Sequence, residues 1–275
     1  MDSEIKRRTV HVAGLHVSVV ECGTGLPLVL VHGLGGPPVW SRVLGLLSDR
    51  FHVVDVDLPG FGNSDCPTVP FSTTHYAEFL NQLLSVLGLD HVILAGISYG
   101  GQIAAATAVN YPNKVGMLVL IAPTGVSGRP LLDQEPVWYL VRTLIKHIIF
   151  KNVRIACFIS GRSFYDLRNR PENICKEFLS HIIPEERTEA WLVALRNTFR
   201  FEPDWIVKLQ TVRTPALILW GKEDRVVSPD DGVQLSRVIA QSRLVVFEKC
   251  GHALPLEKPD ELAGAIVDFV EGISR

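Results

Sequence analysis

The segment Gly96-Ile97-Ser98-Tyr99-Gly100 sets a serine hydroxyl two residues from a glycine on either side. Such a serine can attack a carbonyl if three things reach it: a base, a group that orients the base, and donors for the developing oxyanion. The local spacing predicts a strand-to-helix turn tight enough to hold Ser98 in a strained backbone conformation and present its hydroxyl at the rim of a sheet. Residues two before and two after the centre must pass close by, and glycine at 96 and 100 removes the collision. The N-terminus of the following helix favours negative charge beside the hydroxyl.

These expectations require a strand before Ser98 and a helix after it. Val92–Ile97 is a short apolar run of the kind buried in a parallel sheet, and Gly100–Asn110 is rich in alanine until Tyr111-Pro112 ends it. Small side chains let that helix lie close to the sheet. Further strands are predicted at 27–32, 52–57, 115–121, 216–220 and 244–247. Residues 8–13 and 15–21 alternate about Gly14 as an antiparallel hairpin with one wet face. Helices are predicted at 38–49, 73–87, 230–239 and 259–271. The second has Ser72 or Thr73 as its cap and Tyr76, Phe79, Leu80, Leu83, Leu84 and Leu87 on its inner face. Strand–helix alternation of this kind implies an α/β fold, a mostly parallel sheet with helices on both faces.

The alternation stops between 130 and 205, where only helical patterns occur. Val137, Val141, Leu144, Ile145 and Ile148 recur at helical spacing and form the stripe expected to be buried, against the pocket mouth or other helices. Arg142, Lys146, Lys151 and Arg154 fit either a membrane-binding face or the wet face of that helix, and the wet face is the expectation. The predicted organisation is a core of residues 1–129 and 206–275 with a helical cap, 130–205, over the carboxyl edge of the sheet.

Open α/β sheets place their sites at the carboxyl ends of strands. Of nine histidines, only His252 lies just after the last strand, in Lys249-Cys250-Gly251-His252. Asp224 follows the penultimate strand, with Glu223 beside it as the competing carboxylate. The loop after 115–121 offers Pro123 and Thr124 and no acid. Position therefore groups Ser98, His252 and Asp224.

That order and its loops resemble the α/β-hydrolase superfamily over essentially the whole chain: His32-Gly33, Asp57-Leu58-Pro59-Gly60-Phe61-Gly62, the serine turn, Gly221-x-x-Asp224 and Gly251-His252. The resemblance implies that Ser98 is the nucleophile, His252 the general base and Asp224 the residue that fixes its tautomer. It implies backbone N–H donors at Leu34 and Tyr99 for the oxyanion, with both side chains shaping the pocket. His32 is expected to pack beneath the oxyanion loop, and Asp57 and Ser64 to bond within their own turn. No metal or organic cofactor is implied. Capped hydrolases that cleave carbon–carbon bonds of ring-fission products are also similar in layout, but they carry Asn before the serine and Trp after the histidine. Here Ile97 and Ala253 stand there. Arg196 or Arg200 could bind a substrate carboxylate, and Leu144 and Ile148 are the substrate-contacting cap residues expected. The preferred expectation is an ester or lactone with a largely apolar acyl part. The alternatives are a carbon–carbon bond hydrolase and a small-molecule receptor of this fold with slow turnover.

Composition bounds the rest. In 275 residues, 47% hydrophobic and 20% charged content describe a globular chain with a sizeable core, and a net charge of -2 gives no basis for nucleic-acid binding. The cysteines at 22, 66, 157, 175 and 250 include no Cys-x-x-Cys pair and read as reduced thiols. Met1–Val10 lacks an apolar signal core, and no run is long enough to span a bilayer. A small-molecule partner, no stable membrane insertion and a cytoplasmic location are expected; a homodimer is left open.

Overall fold

The structure is a computed structural model and describes residues 5–128, 130–182, 184–200 and 203–273. Eight strands form one sheet in the order β1-β2-β4-β3-β5-β6-β7-β8. They are β1 (Lys6–Val12), β2 (Leu15–Cys22), β3 (Leu26–Val31), β4 (Phe51–Val56), β5 (Val92–Ile97), β6 (Val115–Ile121), β7 (Ala216–Gly221) and β8 (Ser242–Phe247). The pairings of β2 with β1 and β4 are antiparallel and all others parallel. Ala13 and Gly14, both at positive φ, make the β1–β2 hairpin turn.

The central strands are apolar throughout because both faces are covered. Val29, Val31 and Leu94 face one core layer with α1 (Thr73–Val86) and α2 (Tyr99–Asn110). Leu28, Leu30, Ile93, Ala95 and Ile97 face the other, where the C-terminal helix packs through Leu262, Ile266 and Phe269. The predicted cap of α1 is present: Ser72 Oγ accepts the His75 N–H, and the His75 side chain accepts the Ser72 N–H. The helix expected at 38–49 is instead a 3-10 turn over Pro37–Trp40 and a five-residue helix, Leu44–Ser48. Gly45 inside it makes a continuous helix costly there.

Between β6 and β7 the described residues are helical and contain no strand: α3 (Glu135–Leu144) running into a π-turn at Ile145–Ile149, α4 (Val153–Gly161), α5 (Ile174–Ile182), α6 (Glu185–Phe199) and α7 (Pro203–Leu209). Residue 129, the expected boundary, lies outside the described residues. The other expected boundary, 205/206, cuts through α7, whose Trp205, Ile206 and Leu209 pack into the main core. The insertion has its own small core of Trp138, Ile145, Phe150, Ala156, Leu179 and Leu192.

The stripe expected to be buried in α3 is only partly so. Ile145 is buried and Val141 packs beside it, but Leu144 and Ile148 are 50% and 47% exposed. The helix is apolar on more than one side, and the π-turn slips the 3.6-residue phase by which sequence spacing selects a face. No helix among the described residues is long and apolar enough to cross a membrane.

Candidate active site

Ser98 ends β5 and opens α2 with φ 55 and ψ -122, a conformation that non-glycine residues adopt at a cost of about 1–3 kcal/mol. Backbone bonds on both sides hold it there: Ser98 N–H to the Ile121 carbonyl (2.9 Å), and Thr124 N–H to the Ser98 carbonyl (3.1 Å). The two glycines are required, though by different neighbours than local spacing implies. A Cβ at Gly96 would run into the Gly100 carbonyl, and one at Gly100 into the carbonyls of Val31 and His32 at the end of β3.

That second contact brings the loop after β3 to the serine. A Cβ at Gly33 would stand 2.9 Å from Ser98 Cβ and 3.4 Å from the Tyr99 nitrogen. The N–H of Tyr99 lies in the first turn of α2, where amides lack intrahelical partners. Leu34 follows in a turn closed by Gly36 N–H to the Gly33 carbonyl (3.1 Å). Leu34 and Tyr99 thus lie on the two segments that meet at Ser98.

His32 is fully buried below this loop. Its Nε2 accepts the Leu58 N–H (3.1 Å), which leaves Nδ1 to donate to the Gly33 carbonyl (2.7 Å). Burial holds its pKa below the ordinary value, so the ring is neutral and its two nitrogens pin the Gly33 and Leu58 loops together. Asp57 and Ser64 bond within their turn, through Asn63 N–H to Asp57 Oδ2 (2.8 Å) and Ser64 Oγ to the Asp57 carbonyl (2.5 Å). Sequence spacing missed that Arg7 on β1 also reaches Asp57 Oδ2, at 3.0 Å.

His252 and Asp224 meet at the ends of β8 and β7. His252 Nδ1 lies 2.7 Å from Asp224 Oδ2, with both residues buried. Asp224 Oδ1 accepts the N–H groups of Val226 and Val227 (2.7 and 3.0 Å), which fixes the carboxylate. An imidazole bonded this way keeps its proton on Nδ1 and offers Nε2 as a base. Glu223 does different work: its Oε2 accepts the Cys250 N–H (2.9 Å) and its own N–H reaches the Cys250 carbonyl (3.0 Å). It braces the loop that carries His252. Cys250 is buried, and burial pushes its thiol pKa up, so it is not a nucleophile.

Three further residues have no signature in the sequence. Glu257 accepts the N–H groups of Gly251 (2.7 Å), Tyr165 (2.8 Å) and Asp166 (3.1 Å), joining the His252 loop to the helical insertion. Burial raises its pKa against the pull of those three donors. Trp191 on α6 donates from Nε1 to the Leu34 carbonyl (2.9 Å), and Asn197 on the same helix donates from Nδ2 to the Tyr99 hydroxyl (2.9 Å). Burial pushes the Tyr99 phenol up to about 12, so it stays neutral. Most of these contacts join residues far apart in the chain, and no local spacing announces them.

Arg196 and Arg200, the arginines expected to be available to a substrate carboxylate, are turned to protein acids. Arg196 reaches Asp133 and Glu135, each at 2.9 Å, and its guanidinium lies 5.6 Å over the Trp138 ring. Arg200 is 3.6 Å from Asp133. Leu144 and Ile148, expected at the substrate, stand half exposed on the insertion. Among the described residues, no cluster of three His, Cys, Asp or Glu could hold a metal ion.

The family model for the alpha/beta hydrolase fold matches residues 27–259. The chain is 28% identical over 275 residues to 2-hydroxy-6-oxo-2,4-heptadienoate hydrolase of Pseudomonas putida, covering 96% of this chain and 95% of that one. It is similar in structure to a membrane phospholipase A described as a bacterial virulence factor (TM-score 0.83, 26% identity, 98% of this chain and 87% of that one). A thermophilic esterase from Thermogutta terrifontis superposes with a TM-score of 0.79 at 26% identity, over 98% of this chain and 99% of that one.

Proposed function

The chain belongs to the α/β-hydrolase fold family, and from that premise we propose that it is a serine hydrolase that cleaves a bond to a carbonyl carbon. The observation that carries the reading is the 2.7 Å contact of His252 Nδ1 with Asp224 Oδ2, at the same sheet edge as the strained Ser98 turn. Ser98 Oγ attacks the carbonyl carbon while His252 Nε2 takes its proton. The N–H groups of Leu34 and Tyr99 hold the oxyanion. Collapse breaks the bond to the leaving group, which takes the proton back from Nε2, and water then releases the acyl group from Ser98 by the same steps.

Two readings of the bond remain, and each has support. The whole-length similarity to a 2-hydroxy-6-oxo-dienoate hydrolase supports carbon–carbon cleavage, and it supports that reading better than the ester. There the leaving group is a carbon atom, tolerable because its charge spreads into a dienolate. The pairing of Arg196 and Arg200 with Asp133 and Glu135 favours the ester, since it leaves neither guanidinium free for an acidic substrate.

The test is one panel: a 2-hydroxy-6-oxo-dienoate followed by loss of its absorbance, and simple esters from acetyl to decanoyl. Turnover of the dienoate far above the esters supports carbon–carbon cleavage, and the reverse supports an ester. A fluorophosphonate adduct at Ser98 with turnover of neither leaves a slow receptor-like protein. No adduct at Ser98 overturns the proposal.

A further inference from the structure

The helical insertion presents exposed apolar side chains and exposed cations in one stretch of chain. From Pro136 to Tyr165 the sequence carries Arg142, Lys146, Lys151, Arg154 and Arg162 and no acid, in a chain whose net charge is -2. Along α3 and its π-turn, Trp138, Val141, Ile145 and Ile149 pack into the core of the insertion. Arg142 and Lys146 are partly exposed, with side chains 41% and 24% accessible. Both reach Glu189 of α6, at 2.7 and 2.5 Å.

The other side of the helix is left to apolar residues. Tyr139 is 65% and Leu140 67% exposed, Leu144 and Ile148 about half, and Phe158 on α4, the helix that packs on the π-turn, 78%. Lys151, Arg154 and Arg162 lie in the same stretch of chain, are exposed, and make no ion pair among the described residues. Contiguous apolar residues on a solvent-facing helix mark a surface that something covers. The complementary occupant is apolar and anionic at once. A second copy of this chain fits poorly, because the same stretch on the partner, Pro136 to Tyr165, offers no acid to meet the three cations.

We propose that this face docks the protein on anionic lipid bilayers. Leu140, Leu144, Ile148 and Phe158 enter the boundary between headgroups and acyl chains, while Lys151, Arg154 and Arg162 meet lipid phosphates. The inference goes beyond the proposed chemistry and does not depend on which bond is cleaved.

The experiment is co-sedimentation of the full chain with vesicles of phosphatidylcholine alone and of equimolar phosphatidylcholine and phosphatidylglycerol. Binding is expected to the anionic vesicles only, and to weaken as salt rises. Lys151→Glu, Arg154→Glu and Arg162→Glu should each lower the partition constant by about fivefold or more, and Leu140→Asp or Phe158→Asp should abolish it. All five positions are exposed, and circular dichroism and Tm check that each variant folds as the parent does. Absence of binding to the anionic vesicles overturns the proposal. So does equal binding to both vesicle types, or a concentration-dependent dimer in sedimentation velocity that Leu140→Asp dissolves.

Discussion

Trp191 Nε1 donates to the Leu34 carbonyl at 2.9 Å across 157 positions of sequence. Leu34 is the residue whose N–H we assign to the oxyanion, so a helix of the insertion holds the carbonyl of the next peptide and limits rotation about Leu34. Loosening this bond should act on reactivity more than on folding. Trp191→Phe is expected to slow fluorophosphonate labelling of Ser98 by about tenfold, less than the 10²–10³ lost when an oxyanion donor is removed outright. Unchanged labelling kinetics in the folded variant would remove Trp191 from any positioning role.

Ser98 itself predicts two separable effects. Ser98→Ala should fold and lose labelling and turnover. Ser98→Gly should also be inactive but melt higher than Ser98→Ala, because glycine accepts φ 55 without the strain of about 1–3 kcal/mol. Equal Tm values for the two variants would mean that the turn stores no strain.

The adjacent acids Glu223 and Asp224 provide a third comparison. Asp224→Asn leaves the imidazole in the wrong tautomer and should cost on the order of 10⁴ in kcat. Glu223→Gln keeps an oxygen for the Cys250 N–H and should cost little in kcat. If the two losses were reversed, the carboxylate would be misassigned by one residue.

Asp55 on β4 gives a pH-dependent prediction. Its Oδ1 is buried with no hydrogen-bond partner among the described residues, and burial plus the charge of Asp57 push its pKa well above the carboxylate range. The native chain keeps a proton that the unfolded chain releases above about pH 4. Stability is therefore lost as pH rises from there toward the raised value. Asp55→Asn cannot ionise, so its Tm advantage over the parent should grow as pH rises above about 4. A difference that stays flat with pH would show that Asp55 is ionised when folded.

The sheet and the order of its loops were legible because β3, β5, β6 and β7 are mostly apolar runs, β1 and β2 alternate, and turn residues follow them. That frame groups Ser98, His252 and Asp224 at one edge of the sheet. It failed where a helix is apolar on several sides: the spacing of Val137, Val141, Leu144, Ile145 and Ile148 suggests one buried stripe, and the π-turn divides it. It was silent on Glu257, Trp191 and Asn197, which reach Tyr165, Leu34 and Tyr99, respectively 92, 157 and 98 positions away. Periodicity records which side of an element is wet, and it carries no information about which loop a single polar group reaches.

The insertion is fastened to the sheet domain at every part of the site. Trp191 reaches Leu34, Asn197 reaches Tyr99, Arg187 reaches the carbonyls of Gly62 and Ser64, and the Ser163 carbonyl receives the Ala253 N–H beside His252. Such a segment cannot be exchanged between relatives as an independent cassette. A chimera that brought foreign helices without matching partners for these loops would alter the reacting groups along with the pocket. Changing specificity by transplantation therefore requires moving the two sides of each fastening together, and point substitution between the fastenings is the less disruptive route.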